Sequence, residues 1–168
     1  DHDLFFSPVP LRTSLTMMRQ ANVRRSGRQQ LKDRDNGLPQ SSRSTDSAHV
    51  EVAVKMFKNV MGFMGDRNYT YPTTLARELL ECALLHPLLR DELFLQIIKQ
   101  LRRNPSARSE ALGVVLLDLC LECFPPSEVI ENALEFFLIE RGQQRNRGGN
   151  RRHDTEASIR RLHRIVNT

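Results

Sequence analysis

The chain is predicted to fold as an all-α domain, an irregular bundle of about seven helices. Leucine is abundant, tryptophan is absent and aromatic residues make up only 6% of the chain, a balance that favours helices over sheets. Apolar residues recur at steps of three and four in most segments, which is the period of an amphipathic helix. A chain of 168 residues can build a proper core. Residues 1–168 are therefore expected to form a single domain.

The first predicted helix covers residues 11–23, with Thr13 or Ser14 as its cap. Residues 24–46 break the pattern, because they are rich in Arg, Gln, Ser, Asp, Gly and Pro and contain few apolar anchors. This range is predicted to be a long basic loop that is mobile in part. The second helix covers residues 47–65, where apolar residues recur at helical spacing.

The third predicted helix is capped by Thr73 or Thr74 and reaches His86. Pro87 suits the first turn of a fourth helix, because proline lacks the N–H group that this position leaves unused. The fourth helix covers residues 88–103 and carries a broad apolar stripe.

Asn104-Pro105 ends the fourth helix, and Ser106 or Ser109 starts a fifth that reaches Phe124. The fifth helix is nearly apolar from 111 to 121, so it is expected to be the central, buried helix of the bundle.

A sixth helix is predicted over residues 127–140. Residues 141–153 are basic and contain glycine, which predicts a second loop that is mobile in part. Asp154 then caps the last helix.

The net charge of +5 is unevenly distributed. Residues 12–43 carry eight Lys or Arg and two acids, residues 139–168 carry eight Arg and three acids, and residues 44–138 carry nine basic and thirteen acidic residues. Basic flanks attract polyanions, namely nucleic acid, anionic lipid or acidic protein tails, but they are as often solvated loops. No apolar run is long enough to span a bilayer, so a soluble, cytoplasmic domain is expected.

The three cysteines, Cys82, Cys120 and Cys123, do not make a disulfide framework. Cys120 and Cys123 form an isolated C-x-x-C in an apolar helical run, and a zinc site would require two further Cys or His ligands at matching spacing. We therefore predict buried, structural cysteines that pack as small apolar side chains.

The fourth helix also carries an unusual polar stripe. Glu92, Gln96 and Gln100 lie four residues apart and stack on one face, with Arg90 and Asp91 in the first turns. Asp91 and Glu92 are adjacent and point about 100° apart, so they cannot act together as an acid–base pair. We expect these five residues to form a structural polar network that fixes helix packing, with a partner-facing role as the alternative.

Five motifs follow one another in a fixed order. They are MFKNVMGFMGD at 56–66, LRDELFLQIIKQ at 89–100, Asn-Pro at 104–105, FPPS at 124–127 and RLHRI at 161–165. This series resembles the myosin tail homology 4 (MyTH4) domain of unconventional myosins and some kinesins, firmly over 56–138 and more loosely at 11–23 and 157–166. Where the family commonly has Arg-Gly-Trp, the chain has Leu112-Gly113-Val114. This departure indicates a divergent member.

The resemblance implies a non-catalytic, cytoskeleton-associated tail module of a motor or motor-like protein. In the family this module usually precedes a FERM domain and works with it as one unit. Members bind microtubules or the cytoplasmic portions of cargo proteins. The alternative is a scaffold that recognises one cargo peptide, in a protein where the domain can also stand beside a Rho GTPase-activating domain.

Cations at the end of the fourth helix are the candidates for partner binding. The candidate basic patch comprises Lys99, Arg102, Arg103 and Arg108, extended by Arg24, Arg25, Arg151 and Arg152 if the two basic loops lie on one side. Cations at a helix end also favour the helix dipole, so a solvated face is the competing interpretation. The family resemblance makes the acidic tails of tubulin the expected partner of this patch.

No motif indicates catalysis or a cofactor. His49, His86 and His163 have no companion at ligand spacing, and the chain lacks a P-loop and a dinucleotide-binding glycine fingerprint. The Arg-rich flanks lack the interleaved aromatic residues of single-strand nucleic-acid binders. We therefore expect a protein that is not an enzyme, holds no cofactor and no metal, and binds protein rather than nucleic acid.

Overall fold

The computed structural model describes residues 5–16, 41–145 and 152–167. Within these ranges the chain forms six α-helices and no strand. The helices are α1 (Ser41–Met64), α2 (Pro72–Leu85), α3 (Arg90–Leu101), α4 (Ala107–Cys123), α5 (Glu128–Arg145) and α6 (Arg152–Val166). One turn of 3₁₀ helix, Pro87–Leu89, leads into α3. The predicted all-α class, an irregular bundle of about seven helices, is confirmed.

Helix α3 lies at the centre of the bundle. It contacts α1, α2, α4 and α5, and every residue from Glu92 to Leu101 is buried. Helix α4, predicted to be the central element, instead leaves Val115 and Leu119 exposed. The polar helix takes the centre because an early segment of the chain covers its polar side, which a hydropathy pattern does not show.

The apolar core draws on all six helices. Its largest fully buried side chains include Phe57, Met61, Leu79, Leu93, Phe94, Ile97, Leu116, Leu121, Phe124 and Leu134, and Leu162 of α6 is fully buried as well. Phe94 and Phe124 meet edge to face with ring centroids 5.8 Å apart, a favourable arrangement for two aromatic quadrupoles. Each large apolar side chain buried in this way contributes about 1.5–3 kcal/mol.

Two glycines serve the packing and the turns of the bundle. A Cβ at Gly113 would lie 2.6 Å from the Met64 side chain and 2.7 Å from that of Leu101, so a larger residue would have to displace them where α4 passes α1 and α3. Gly65 has a φ of +82° and ends α1 in the left-handed conformation that glycine adopts without strain.

Local signals identify some helix starts and miss others. Ser106 caps α4, because its hydroxyl accepts a hydrogen bond from the backbone N–H of Ser109 at 3.2 Å. The predicted caps Thr73 and Thr74 are wrong. Helix α2 begins at Pro72, and Tyr71, the residue before it, makes no side-chain cap bond.

Both predicted loops are shorter than their composition indicates. Helix α1 begins at Ser41, so the last six residues of the predicted loop 24–46 are helical. Helix α5 continues to Arg145 and α6 begins at Arg152, which places both ends of the predicted loop 141–153, and the predicted cap Asp154, in helices. Apolar periodicity locates a helix only where one face is buried, so hydrophilic helix ends give no signal. The rest of both predicted loops lies outside the described residues.

The N-terminal strap, residues 5–16, runs antiparallel to α3 from its carboxyl end to its amino end. Pro8 and Pro10 favour extended backbone in the residues before them and cannot donate hydrogen bonds. Only Leu15 and Thr16 at the end of the strap have helical backbone. The helix predicted over 11–23 is therefore wrong for 11–14, and residues 17–23 lie outside the described ranges.

Candidate partner-binding site at the carboxyl end of α3

Glu92, in the first turn of α3, anchors the far end of the strap. Its carboxylate is fully buried and accepts hydrogen bonds from the N–H groups of Leu15 and Thr16, at 2.9 and 2.8 Å. The hydroxyls of Ser14 and Thr16 donate at 2.7 and 2.9 Å, and the Gln96 amide donates at 2.8 Å. Leu15 and Thr16 have helical backbone, and N–H groups at the start of a helix favour an anion. The buried charge is thus compensated by charge-assisted hydrogen bonds.

Arg90 and Asp91 attach α3 to two other parts of the bundle. Arg90 donates from Nε to the carbonyl oxygen of Ala83 in α2 at 3.1 Å, and its guanidinium lies 5.5 Å from the ring centroid of Phe124. Asp91 accepts from the N–H and the hydroxyl of Ser127, just before α5. The two charged residues therefore fix the position of α3 against its neighbours.

Gln96 and Gln100 complete the polar side of α3. Gln96 donates to the carbonyl oxygen of Ala53 in α1 at 2.8 Å. Gln100 accepts from the N–H of Ser7 at 2.9 Å and donates to its carbonyl oxygen at 3.2 Å, so one side-chain amide holds both backbone groups of a strap residue. Gln100 also donates to Asp66 at 3.3 Å. The polar stripe of α3 therefore binds three parts of the chain, namely α1, the strap and the turn after α1.

Lys99, the first residue of the predicted basic patch, lies beneath the strap. Its side chain is 6% exposed, and Nζ donates to the carbonyl oxygen of Phe5 at 2.9 Å. The N–H of Phe6 donates to the carbonyl oxygen of Arg102 at 2.9 Å. The start of the strap therefore covers the last turn of α3.

Arg102 and Arg103 reach the surface beside the strap. Arg102 lies 5.7 Å from the ring centroid of Phe137 and 3.6 Å from the carboxylate of Glu140. Arg103 is exposed, and its guanidinium lies 4.4 Å from the ring centroid of Phe5. Arg103 also has a φ of +54°, a conformation that is uncommon without glycine. The attraction between its cation and the Phe5 ring offsets part of that strain.

These two arginines and Arg141 line a cleft of about 310 Å³ between α3, α5 and the strap. Arg141 is 8% exposed, with Nη1 2.8 Å from the carboxylate of Glu110. Glu140 is the second acid of the cleft. Nε of Arg102 is buried and meets no hydrogen-bond acceptor among the described residues. Three guanidinium groups against two carboxylates make this cation cleft suitable for a ligand that carries carboxylates.

Sequence reasoning does not identify Arg141, because residues 141–153 have the composition of a loop. Helix α5 continues through this position, and Arg141 follows the buried Leu134, Phe137 and Leu138 at helical spacing. An arginine in step with buried apolar positions is a candidate for a buried ion pair, and that spacing is the signal that could have found it. Phe5 carries no such signal.

The other cations of the predicted basic patch lie elsewhere or outside the described residues. Arg108 is exposed in the first turn of α4. Arg152 is the first residue of α6. Arg24, Arg25 and Arg151 fall outside the described ranges. The extension of the patch by the two flanks stays a prediction.

The three cysteines are free thiols. In the described part of the chain, no three His, Cys, Asp or Glu side chains are grouped so that they could hold a metal ion. Cys120 is buried, and burial raises the pKa of its thiol. Cys82 is half-buried and Cys123 is exposed, so the prediction of burial is wrong for Cys123. Cys123 is the last residue of α4, where the helix reaches the surface.

The fold and the site define a helical binding domain, in which buried polar groups fasten chain segments and surface cations surround a cleft. The chain belongs to the MyTH4 domain family, whose sequence model matches residues 76–168. The resemblance to this family is thereby confirmed. None of the described helices has the length and the apolar content needed to cross a membrane.

Two curated relatives are myosins. The chain is 49% identical over 106 residues to the high molecular weight form of myosin-1 of Acanthamoeba castellanii, covering 63% of this chain and 7% of that protein. It is 36% identical over 111 residues to unconventional myosin heavy chain 6 of Caenorhabditis elegans, covering 66% of this chain and 5% of that protein. The chain spans less than a tenth of the length of either relative.

Solved structures of MyTH4-FERM domains share the fold. A mutant of the MF2 domain of Dictyostelium discoideum myosin VII matches with a TM-score of 0.74 and 18% identity, over 97% of this chain and 29% of that one. The human myosin 7b C-terminal MyTH4-FERM domain, in complex with the harmonin-a PDZ3 domain, matches with a TM-score of 0.65 and 26% identity, over 97% of this chain and 28% of that one. The first likeness, at this low identity, concerns the fold alone.

Proposed function

We propose that the chain is a non-catalytic tail module of a myosin-type motor, which binds protein partners together with an adjacent FERM domain. The myosin relatives and the MyTH4-FERM structures support this role, and one of those structures holds a PDZ domain as a partner. The role involves no catalysis. The acids of α3 already take part in hydrogen bonds that hold the fold together. With this role, we expect the parent protein to act at the cytoskeleton.

The cation cleft supports electrostatic binding of an acidic partner. Arg102, Arg103 and Arg141 offer guanidinium groups to a glutamate-rich segment, and the acidic tails of tubulin are the proposed partner. The Phe137 ring and the Glu110 carboxylate already restrain Arg102 and Arg141, so these two side chains lose little rotamer freedom on binding. Exposed charges are screened over about 10 Å at 0.1 M salt, so the complex should weaken as salt rises.

Co-sedimentation with microtubules tests this binding mode. The variant Arg103→Glu reverses the exposed cation of the cleft, and we expect its affinity to fall about tenfold, because a reversed charge repels an acidic partner. Lys99 is unsuitable for this test because it is buried. Lys58→Glu on α1 is the matched control, since Lys58 is an exposed cation on another helix. Equal pelleting of the native protein and Arg103→Glu would exclude the cleft as the docking site.

A second candidate function is recognition of a cargo peptide at the other end of α3. A larger cleft, of about 600 Å³, lies there between the 3₁₀ turn and the turn before α5. It combines the apolar Leu88, which is 78% exposed, with the Arg90 guanidinium and the hydroxyl of Ser14. A cargo complex that survives high salt, tolerates Arg103→Glu and is lost in Leu88→Glu would favour this function. A neighbouring Rho GTPase-activating domain is a further arrangement that the family resemblance suggests for the parent protein.

A further inference from the structure

We propose that residues 5–7 of the strap form a removable cover that regulates the cation cleft. The inference rests on the proposed function, because the effect of the cover is to control binding at that cleft. It concerns only the start of the strap, and the end of the strap stays attached to Glu92.

The cover engages one cation of the cleft, Arg103, and the buried Lys99 of the preceding turn of α3. The carbonyl oxygen of Phe5 takes a hydrogen bond from Nζ of Lys99, and the Phe5 ring stacks on the guanidinium of Arg103. The N–H of Phe6 binds the carbonyl oxygen of Arg102, so the backbone passes directly over the end of α3. An acidic ligand that approaches Lys99 and Arg103 must therefore displace Phe5.

The two attachments of the strap differ in their access to water. Ser14 and Leu15 are buried around the fully buried Glu92 carboxylate. Phe5, Phe6 and Ser7 are only half-buried, and their backbone groups can exchange α3 partners for water. The start of the strap can consequently open while the far end remains bound. Local opening in proteins occurs first in such weakly buried segments.

Opening sets the affinity of the cleft. When only the open fraction of molecules can bind, the observed dissociation constant rises in inverse proportion to that fraction. A weakened cover should therefore strengthen microtubule binding without any change in the cleft residues. Loss of one or two hydrogen bonds of about 1 kcal/mol each corresponds to roughly a fivefold change or more.

Amine labelling of the full chain, followed by mass spectrometry, reports on the cover directly. Lys55 and Lys58 are exposed on α1 and serve as internal standards. In the native protein Lys99 should label much more slowly than either standard. The variants are Phe5→Ala, which removes the ring, and Phe5→Ala combined with Phe6→Pro, which also removes the N–H donor. Both should accelerate labelling of Lys99 and leave the standards unchanged.

Microtubule co-sedimentation of the same proteins tests regulation. We expect the dissociation constant to fall about fivefold in the double variant and less in Phe5→Ala. Val9→Ala removes an exposed side chain of the strap and keeps the backbone hydrogen bonds with Ser7, so it should behave as native. Labelling of native Lys99 at the rate of Lys58 overturns the cover. Faster labelling in the variants with unchanged or weaker pelleting overturns its regulatory role alone. Absence of pelleting for the native protein and both variants overturns the proposed microtubule function, and the regulation falls with it.

Discussion

The two ends of α3 hold the same strap by different chemistry. At the amino end one fully buried carboxylate accepts five hydrogen bonds, four of them from the strap. At the carboxyl end Lys99, Gln100 and Arg103 contact half-buried residues 5–7. A buried charge that loses its donors cannot recover them from water, whereas half-exposed groups can. Solvent access therefore decides which attachment is structural and which can open. The regular four-residue spacing of the polar stripe does not show this difference.

The largest effect that separates the two ends is expected at Glu92. Glu92→Ala removes the shared acceptor and leaves buried strap donors unpaired, so we expect a loss of about 3–5 kcal/mol in the free energy of unfolding. Gln100→Ala, whose partners are half-buried, should lose about 1–2 kcal/mol. Urea denaturation followed by the helical circular dichroism signal measures both.

Gln143→Ala, at an exposed position of α5, is the control and should remain within about 0.5 kcal/mol of the native protein. Equal losses for Glu92→Ala and Gln100→Ala would contradict the difference between the two ends. The same result would remove the basis for opening of residues 5–7 alone.

A smaller effect is expected at Arg103, where backbone strain and stacking oppose each other. Arg103→Ala loses the contact with Phe5 and keeps the positive φ, so it should be about 0.5–1 kcal/mol less stable than the native protein. Arg103→Gly loses the same contact but relieves the strain, so it should be about 1 kcal/mol more stable than Arg103→Ala. Thermal denaturation of the pair measures the difference. An alanine variant as stable as the glycine variant would show that this position is unstrained.

The sequence is sufficient for the class of fold and for the position of most helices, because buried faces leave a periodic pattern. It also singles out Glu92, Gln96 and Gln100, whose spacing places them on one side of α3. It does not show what covers that side, since Glu92 meets Leu15 and Lys99 meets Phe5 across 77 and 94 positions. Contacts between such distant residues leave no local pattern, and for this reason Lys99 is expected at the surface from sequence and is buried in the structure.

The smallest effect is expected at Asp66, a carboxylate in the turn after α1. Asp66 accepts a hydrogen bond from Gln100 near the carboxyl end of α3. Desolvation raises the pKa of Asp66 from 3.8, although hydrogen bonds with Ser109 and Gln100 lower it. A raised folded-state pKa means that the neutral acid is favoured in the fold. Its contribution to stability is complete below the ordinary pKa and is lost as the pH rises through the raised value.

Asp66→Asn keeps an uncharged acceptor for Gln100 at every pH. The variant should therefore match the native protein near pH 3 and unfold at a slightly higher temperature at pH 7. The difference should be small, because Asp66 is only half-buried and water screens its charge. Thermal unfolding at the two pH values measures it. A native protein that is the more stable of the two at pH 7 would mean that the Asp66 carboxylate gains more from its hydrogen bonds with Ser109 and Gln100 than it loses by desolvation.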